Sequence, residues 1–373
     1  MLHQMAHNKR SSGILFVSLI VIVVCLGLSE AQKQQVPAMY VFGDSLVDVG
    51  NNNHLKISIA KADFPHNGVD FPGNKPTGRF SNGKNFADFL AEKAGLATTP
   101  PPYLSVVSSK SNDGFPTTGV SFASGGAGIF NGSDERYRQS LPLSKQVYYY
   151  STVYGDLVQR LGSAGAQTHL EKSLFAIVLG SNDLFDYFKS GSNQSNEITP
   201  QQYVDSMLID LKQALKGLHD SGGRKFLIAG IGAVGCCPSQ RNRVKNEECY
   251  EEENQMAVKY NEGLKPMLEG LKSELKGNMT YSYVDVYDVF ASFIQTPSAF
   301  GFTEVKAACC GLGNLKAQVP CVPVSTYCSN RSDHIFWDLY HPTETAARIL
   351  IDMVFDGSQQ YAAPINVKQL IAA

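Results

Sequence analysis

Five short apolar runs, rich in β-branched and aromatic residues, constrain this chain more than any other feature. They lie near 38–43, 119–123, 174–179, 225–231 and 281–286. Each has the length of a buried strand rather than of a helix. Between them lie stretches with helical spacing or charge: Asn82 to Gly95, Leu143 to about Leu161, Pro200 to Asp220, and Glu248 to Lys276. A last helix is expected from about Thr343 to Phe355, with Pro342 near its first turn. Strands separated by helices imply a parallel sheet covered on both faces. Residues 53–77 and 301–335 lack periodicity and read as a long loop and a cysteine-bearing irregular stretch. There is no internal repeat and no low-complexity linker, so a single domain over 32–373 is expected.

The first 31 residues read as a signal peptide. Lys9 and Arg10 precede an apolar run from Ile14 to Leu28, and Ser29-Glu30-Ala31 supplies small residues for cleavage near Ala31. That run is shorter than the roughly 20 residues that span a bilayer. The mature protein is therefore expected outside the cell, without stable membrane insertion. A formal net charge of −2 and the lack of any basic tract exclude nucleic acid as a partner.

Cysteine usage fits an oxidising compartment. Beyond Cys25, the chain carries Cys236, Cys237, Cys249, Cys309, Cys310, Cys321 and Cys328, all in its C-terminal part. No C-x-x-C pair occurs, so zinc is not favoured. Seven is odd, so one thiol stays free unless it pairs between chains. The expectation is that Cys309, Cys310, Cys321 and Cys328 are all bonded and that Cys249 bonds Cys236 or Cys237. Four N-x-S/T sequons, at Asn131, Asn193, Asn278 and Asn330, are candidate glycosylation sites.

Three polar stretches each follow the C-terminal end of an apolar run: Gly43-Asp44-Ser45, Ser124-Gly125-Gly126 and Gly180-Ser181-Asn182-Asp183. In a parallel sheet those ends share one edge, where open α/β sheets bind ligands. A fourth stretch, Trp337-Asp338-Leu339-Tyr340-His341-Pro342, precedes the last helix; Asp338 and His341 are three apart, close enough for the carboxylate to orient the ring. Taken singly, each has a plain structural reading. Ser45 could cap a helix, Asn182-Asp183 and Ser124-Gly125-Gly126 could be turns, and His341 could be a surface residue. Asp44, Asp48 and Asn51 lack the ligand spacing of a calcium loop, and no cofactor is expected. Together the four stretches hold the parts for acyl transfer: a serine, a base, an orienting carboxylate and oxyanion donors at Ser45 N–H, Gly125 and Asn182.

In order and placement these stretches resemble the GDSL esterase/lipase family of the SGNH-hydrolase superfamily, in its plant secreted branch. Gly43-Asp44-Ser45-Leu46 with Asp48, Gly50 and Asn51 to Asn53 matches the first block, Phe122 to Gly128 the second, Gly180 to Asp183 the third, and Trp337-Asp338 with His341 to Glu344 the last. Cys309-Cys310-Gly311 with Cys321 and Cys328 is similar to the same branch, whereas Cys236-Cys237 stands where the family usually has one cysteine. The resemblance implies a three-layer α/β/α, flavodoxin-like fold with about five parallel strands. It also implies an esterase acting on lipid or other small ester substrates. Ser45 would be the nucleophile, Asp338 and His341 its relay, and Gly125 and Asn182 the oxyanion donors. An acyltransferase using the same residues, or an idle extracellular binding protein, is the alternative. The G-x-S-x-G elbow of α/β-hydrolases is absent around Ser45.

Overall fold

The computed structural model describes residues 35–109, 114–133, 138–189 and 198–373. The expected signal peptide and the sequon at Asn193 lie outside the described residues. Four parallel strands form the centre: β1 (Met39–Gly43), β2 (Leu174–Val178), β3 (Lys225–Ala229) and β4 (Thr280–Val284). They lie side by side in that order, with Met39 opposite Leu174, Leu174 opposite Lys225, and Lys225 opposite Thr280. The register brings all four C-terminal ends to one edge.

The strands are apolar on both faces, as burial under two helical layers requires. Tyr40, Phe42, Phe175, Ile177, Phe226 and Ile228 pack into one core cluster. The helices Leu143–Glu171 (α2), Pro200–Asp220 (α4) and Glu251–Glu274 (α5) bury their apolar stripes there. The alternate residues Met39, Val41, Leu174, Ala176, Leu227 and Ala229 face the other cluster. It is covered by Phe86–Lys93 (α1), Val286–Gln295 (α6), Glu344–Phe355 (α7) and Val367–Ala372 (α8). The helix Ser181–Tyr187 (α3) follows β2 directly. The result is a three-layer α/β/α architecture, in which residues 35–373 form one compact unit.

Several boundaries differ from the sequence expectation for local reasons. The run 119–123 is not a full strand. It lies beside β1 through bonds such as Val41 N–H to Val120 O and Phe122 N–H to Val41 O. Ser121 N–H goes instead to Pro101 O, and Gly119 takes φ +107°, so no regular ladder forms. The fifth strand is Ala362–Ala363, antiparallel to β4. α1 is shorter than expected because Asn85 caps it, accepting from the Ala87 amide in a capping box with Asp88. α2 breaks at Gly162 (φ 71°), near the expected end, and then resumes to Glu171. β4 stops at Val284 because Asp285 caps α6, accepting from Asp288 N–H. The stretch read as irregular is partly ordered: Glu304–Ala308 pairs in parallel with His334–Phe336, and Cys310–Gly311 pairs with Thr326–Tyr327.

Among the described residues, three disulfides join Cys236 to Cys249, Cys309 to Cys328 and Cys310 to Cys321, leaving Cys237 as a buried free thiol. The choice left open between Cys236 and Cys237 falls to Cys236. Cys237 turns the other way, toward the carbonyl of Tyr340 at 3.7 Å.

Candidate active site

β1 delivers Ser45 to the sheet edge through a tight turn. Asp44 N–H donates to Val178 O (3.1 Å) and Leu46 N–H to Asp44 Oδ1 (2.9 Å), which sets Ser45 at the apex. Gly43 is required there, since a Cβ would run into Val47 and the Val178 carbonyl. Gln146 holds both Gly43 backbone groups, accepting from its N–H and donating to its C=O at 2.8 Å each.

The acidic and amide residues after Ser45 tie neighbouring loops together. Asp48 accepts from the amides of Gly50 (2.7 Å), Asn51 (2.8 Å) and Gly125 (2.9 Å). Asn51 donates to the carbonyls of Ser121 and Ala123, and Asn52 donates to that of Gly125, all at 2.8 Å. The first and second polar stretches are thus one bonded unit. This overturns the expected oxyanion role of Gly125, whose amide already serves Asp48. Gly126 lines the adjoining cavity instead, and its amide has no partner among the described residues. Nothing in the spacing of Ser124-Gly125-Gly126 could reveal which amide is free, because that depends on Asp48.

Asn182 lies in the first turn of α3, after Gly180 at φ 124°. Its Nδ2 donates one bond to Ala127 O (3.0 Å), leaving a second N–H beside the cavity it lines. Asp183 points away: its carboxylate accepts from the Ile129 and Phe130 amides and the Ser133 hydroxyl, fastening the following loop.

The Asp338–His341 turn meets Ser45 from the opposite side. Asp338 Oδ1 accepts from the Tyr340 and His341 amides at 3.0 and 2.9 Å. Its oxygens lie 2.7 and 2.9 Å from His341 Nδ1, and His341 Nε2 lies 2.7 Å from Ser45 Oγ. A carboxylate facing Nδ1 holds the ring proton there, so Nε2 accepts from the serine hydroxyl. Cys309 and Cys310 donate their amides to Phe336 and Trp337 carbonyls, and Trp337 Nε1 donates to Asn67 Oδ1 at 3.0 Å. The Phe80 ring lies 5.0 Å from the His341 ring.

Burial treats the carboxyls differently. It raises Asp338, but the His341 charge and the hydrogen bonds of the turn outweigh it and hold the group below the usual carboxylate range. Burial pushes Asp44 up to about 7 and Asp48 up to about 6, against the pull of their backbone amides. A cavity of about 350 Å³ opens over Ser45, Asn182 and His341. Its apolar walls come from segments far apart in sequence, among them Phe80, Val234, Val286 and Phe290, which no sequence signal singled out.

Residues 39–354 match the GDSL-like lipase/acylhydrolase family. The chain belongs to that family. A GDSL esterase/lipase of Arabidopsis thaliana, At5g55050, is 49% identical over 368 residues, covering 96% of both chains. A second from the same plant, At3g50400, is 36% identical, covering 92% of this chain and 93% of its own. The family match takes in β1 to β4 and the positions of Ser45, Asp338 and His341.

Proposed function

We propose that the protein is a serine carboxylic-ester hydrolase working through an acyl-enzyme on Ser45. His341 Nε2 takes the Ser45 proton as Oγ attacks the ester carbonyl, and the carbonyl oxygen becomes an oxyanion. Ser45 N–H, Gly126 N–H and the free Asn182 N–H are the donors for that charge. His341 then returns the proton to the departing alcohol. Water, deprotonated by His341, attacks the acyl-enzyme, releasing the acid and restoring Ser45. Asp338 keeps the ring oriented and stabilises it while it carries the proton. The observation that carries this reading is the continuous Ser45–His341–Asp338 chain of 2.7 Å contacts in the cavity.

Secretion supports the same reading: the charged and apolar N-terminus, three disulfides and exposed sequons at Asn131, Asn278 and Asn330 fit an extracellular enzyme. No helix among the described residues is long and apolar enough to cross a membrane. A small ester is the substrate, and no nucleic acid or cofactor enters the scheme.

The test combines a fluorophosphonate probe with a panel of p-nitrophenyl esters on secreted protein. Labelling confined to Ser45, lost in Ser45→Ala, with ester turnover is expected. A folded protein that neither labels nor turns over any ester would refute the proposal. Adding glycerol and measuring acyl transfer against free acid separates hydrolysis from transacylation.

A further inference from the structure

The catalytic cavity is asymmetric. On one side it is bounded by Ile59, Lys61, Phe64 and Asn67 from the long loop after β1, where Ile59 is 60% exposed and the cavity meets solvent. On the other it runs along the ends of the strands. Ser45 follows β1 and Asn182 follows β2. Gly232 and Val234 follow β3, and Val286 and Phe290 follow β4. At a strand spacing of about 4.8 Å, this arm extends roughly 14 Å from β1 to β4. Gly232, Val234, Val286 and Phe290 bring no charged group to it, and Val234, Val286 and Phe290 are 6–8% exposed. Cys237, in the same wall, is held as a neutral thiol because burial pushes it well above its usual value.

Behind this arm lies a second cavity of about 40 Å³, sharing Leu46, Ser181, Gly232 and Val286 with the first. The wall there is thin because residue 232 is glycine. A Cβ at that position would sit 3.2 Å from Val286 Cγ1, tighter than ordinary packing.

Acyl-enzyme chemistry assigns the two arms. The alcohol must leave before water can attack, so it requires the arm that reaches solvent. The acyl group stays bonded to Ser45 through both steps, so it can occupy the closed arm. Burying a hydrocarbon chain on an apolar wall is favourable because it takes methylenes out of water.

We infer that the closed arm, walled by Gly232, Val234, Val286 and Phe290, is an acyl-chain subsite that selects esters of linear fatty acids longer than butanoate. This rests on the ester hydrolysis proposed above. Wild-type protein is expected to prefer p-nitrophenyl decanoate over butanoate in kcat/KM. Val286→Trp should lower the decanoate-to-butanoate ratio by about tenfold, the scale at which pocket contacts discriminate chain length. Phe290→Ala, which only removes atoms, should raise the dodecanoate-to-decanoate ratio about threefold.

A measurement independent of turnover is decanoate binding to Ser45→Ala by calorimetry, with Val286→Trp added in the same background. Binding weakened about tenfold supports the subsite, even if no ester is hydrolysed, in which case only the esterase reading fails. Absence of decanoate binding, or ratios and binding unmoved in folded variants, overturns it.

Discussion

Ser45 and His341 lie 2.7 Å apart yet are held by different means. Ser45 sits one residue beyond Asp44, whose amide bonds the last residue of β2, at the edge of a sheet buried on both faces. His341 belongs to a segment of two- to five-residue strands clamped by the Cys309–Cys328 and Cys310–Cys321 bridges, with Trp337 packed among the cysteines. The place of Ser45, the proposed nucleophile, follows from hydrophobic burial of regular structure. The place of His341, the proposed base, depends on covalent cross-links and a few polar contacts. The difference teaches that the two halves can fail separately: loosening the disulfide segment should impair the base while leaving the sheet and Ser45 intact.

Removing the proposed reacting groups is the largest perturbation. Ser45→Ala should lower kcat by roughly 10⁴-fold or more, and Asp338→Asn by roughly 10⁴-fold through loss of the correct ring tautomer. Steady-state kinetics with thermal melts check both; near-normal turnover in a clean preparation of either would break the assignment of the two halves.

On the sheet side, Asn182→Ala should cost about 2.7–4 kcal/mol of transition-state stabilisation, a fall in kcat of roughly 10²–10³. Since α3 keeps its other contacts, the melting temperature should change little. A loss of stability in place of activity would show Asn182 to be a structural residue only.

The sharpest contrast comes from the bridges. Removing Cys310–Cys321 by a double Cys→Ser change should reduce stability by about 2–4 kcal/mol. It should also lower ester turnover while Ser45 stays in place, as far-UV circular dichroism and urea melts can report. Peptide mapping after alkylation in denaturant, without reductant, should modify Cys237 alone. Two further alkylated cysteines would contradict the pairing.

The smallest effect is on pH. Asp44 and Asp48 have folded-state values of about 7 and about 6, above those of the unfolded chain. Between pH 4 and 7 the folded state therefore holds protons that the unfolded chain has released, and their stabilising contribution falls as pH rises. Asp338 has the opposite sign. Its value is lowered, so its contribution is full above about pH 4 and is lost only as pH falls below that. Asp44→Asn, which keeps an acceptor for Leu46 N–H, should flatten the decline in melting temperature from pH 5 to 8 by roughly a few degrees. An unchanged slope would remove Asp44 from this account.

The comparison also separates what local sequence could disclose. The apolar runs at 38–43, 174–179, 225–231 and 281–286 became β1 to β4, and 200–220 became α4 as expected. Burial under two layers demands continuous apolar strands, and that demand is written residue by residue. Ser45 and Asn182, each just past a strand end, line one cavity, and His341 reaches it from the turn before α7.

Other features arise from contacts between distant segments. The strand Ala362–Ala363 is two residues long and exists only by pairing with β4. Gly126 rather than Gly125 offers a free amide because Asp48, 77 residues before Gly125, takes the other. Cys236 pairs with Cys249 because its neighbour faces Tyr340, more than a hundred residues on. The wall of Val234, Val286 and Phe290 is assembled from the ends of two strands. By itself the sequence determined the layers, the parallel sheet and the residue types of the reaction, since each depends on short-range pattern. Only the tertiary structure decided which amide stays free, which thiol stays unpaired and which apolar surfaces line the cavity at Ser45, because those orientations are set by long-range partners that no local window contains.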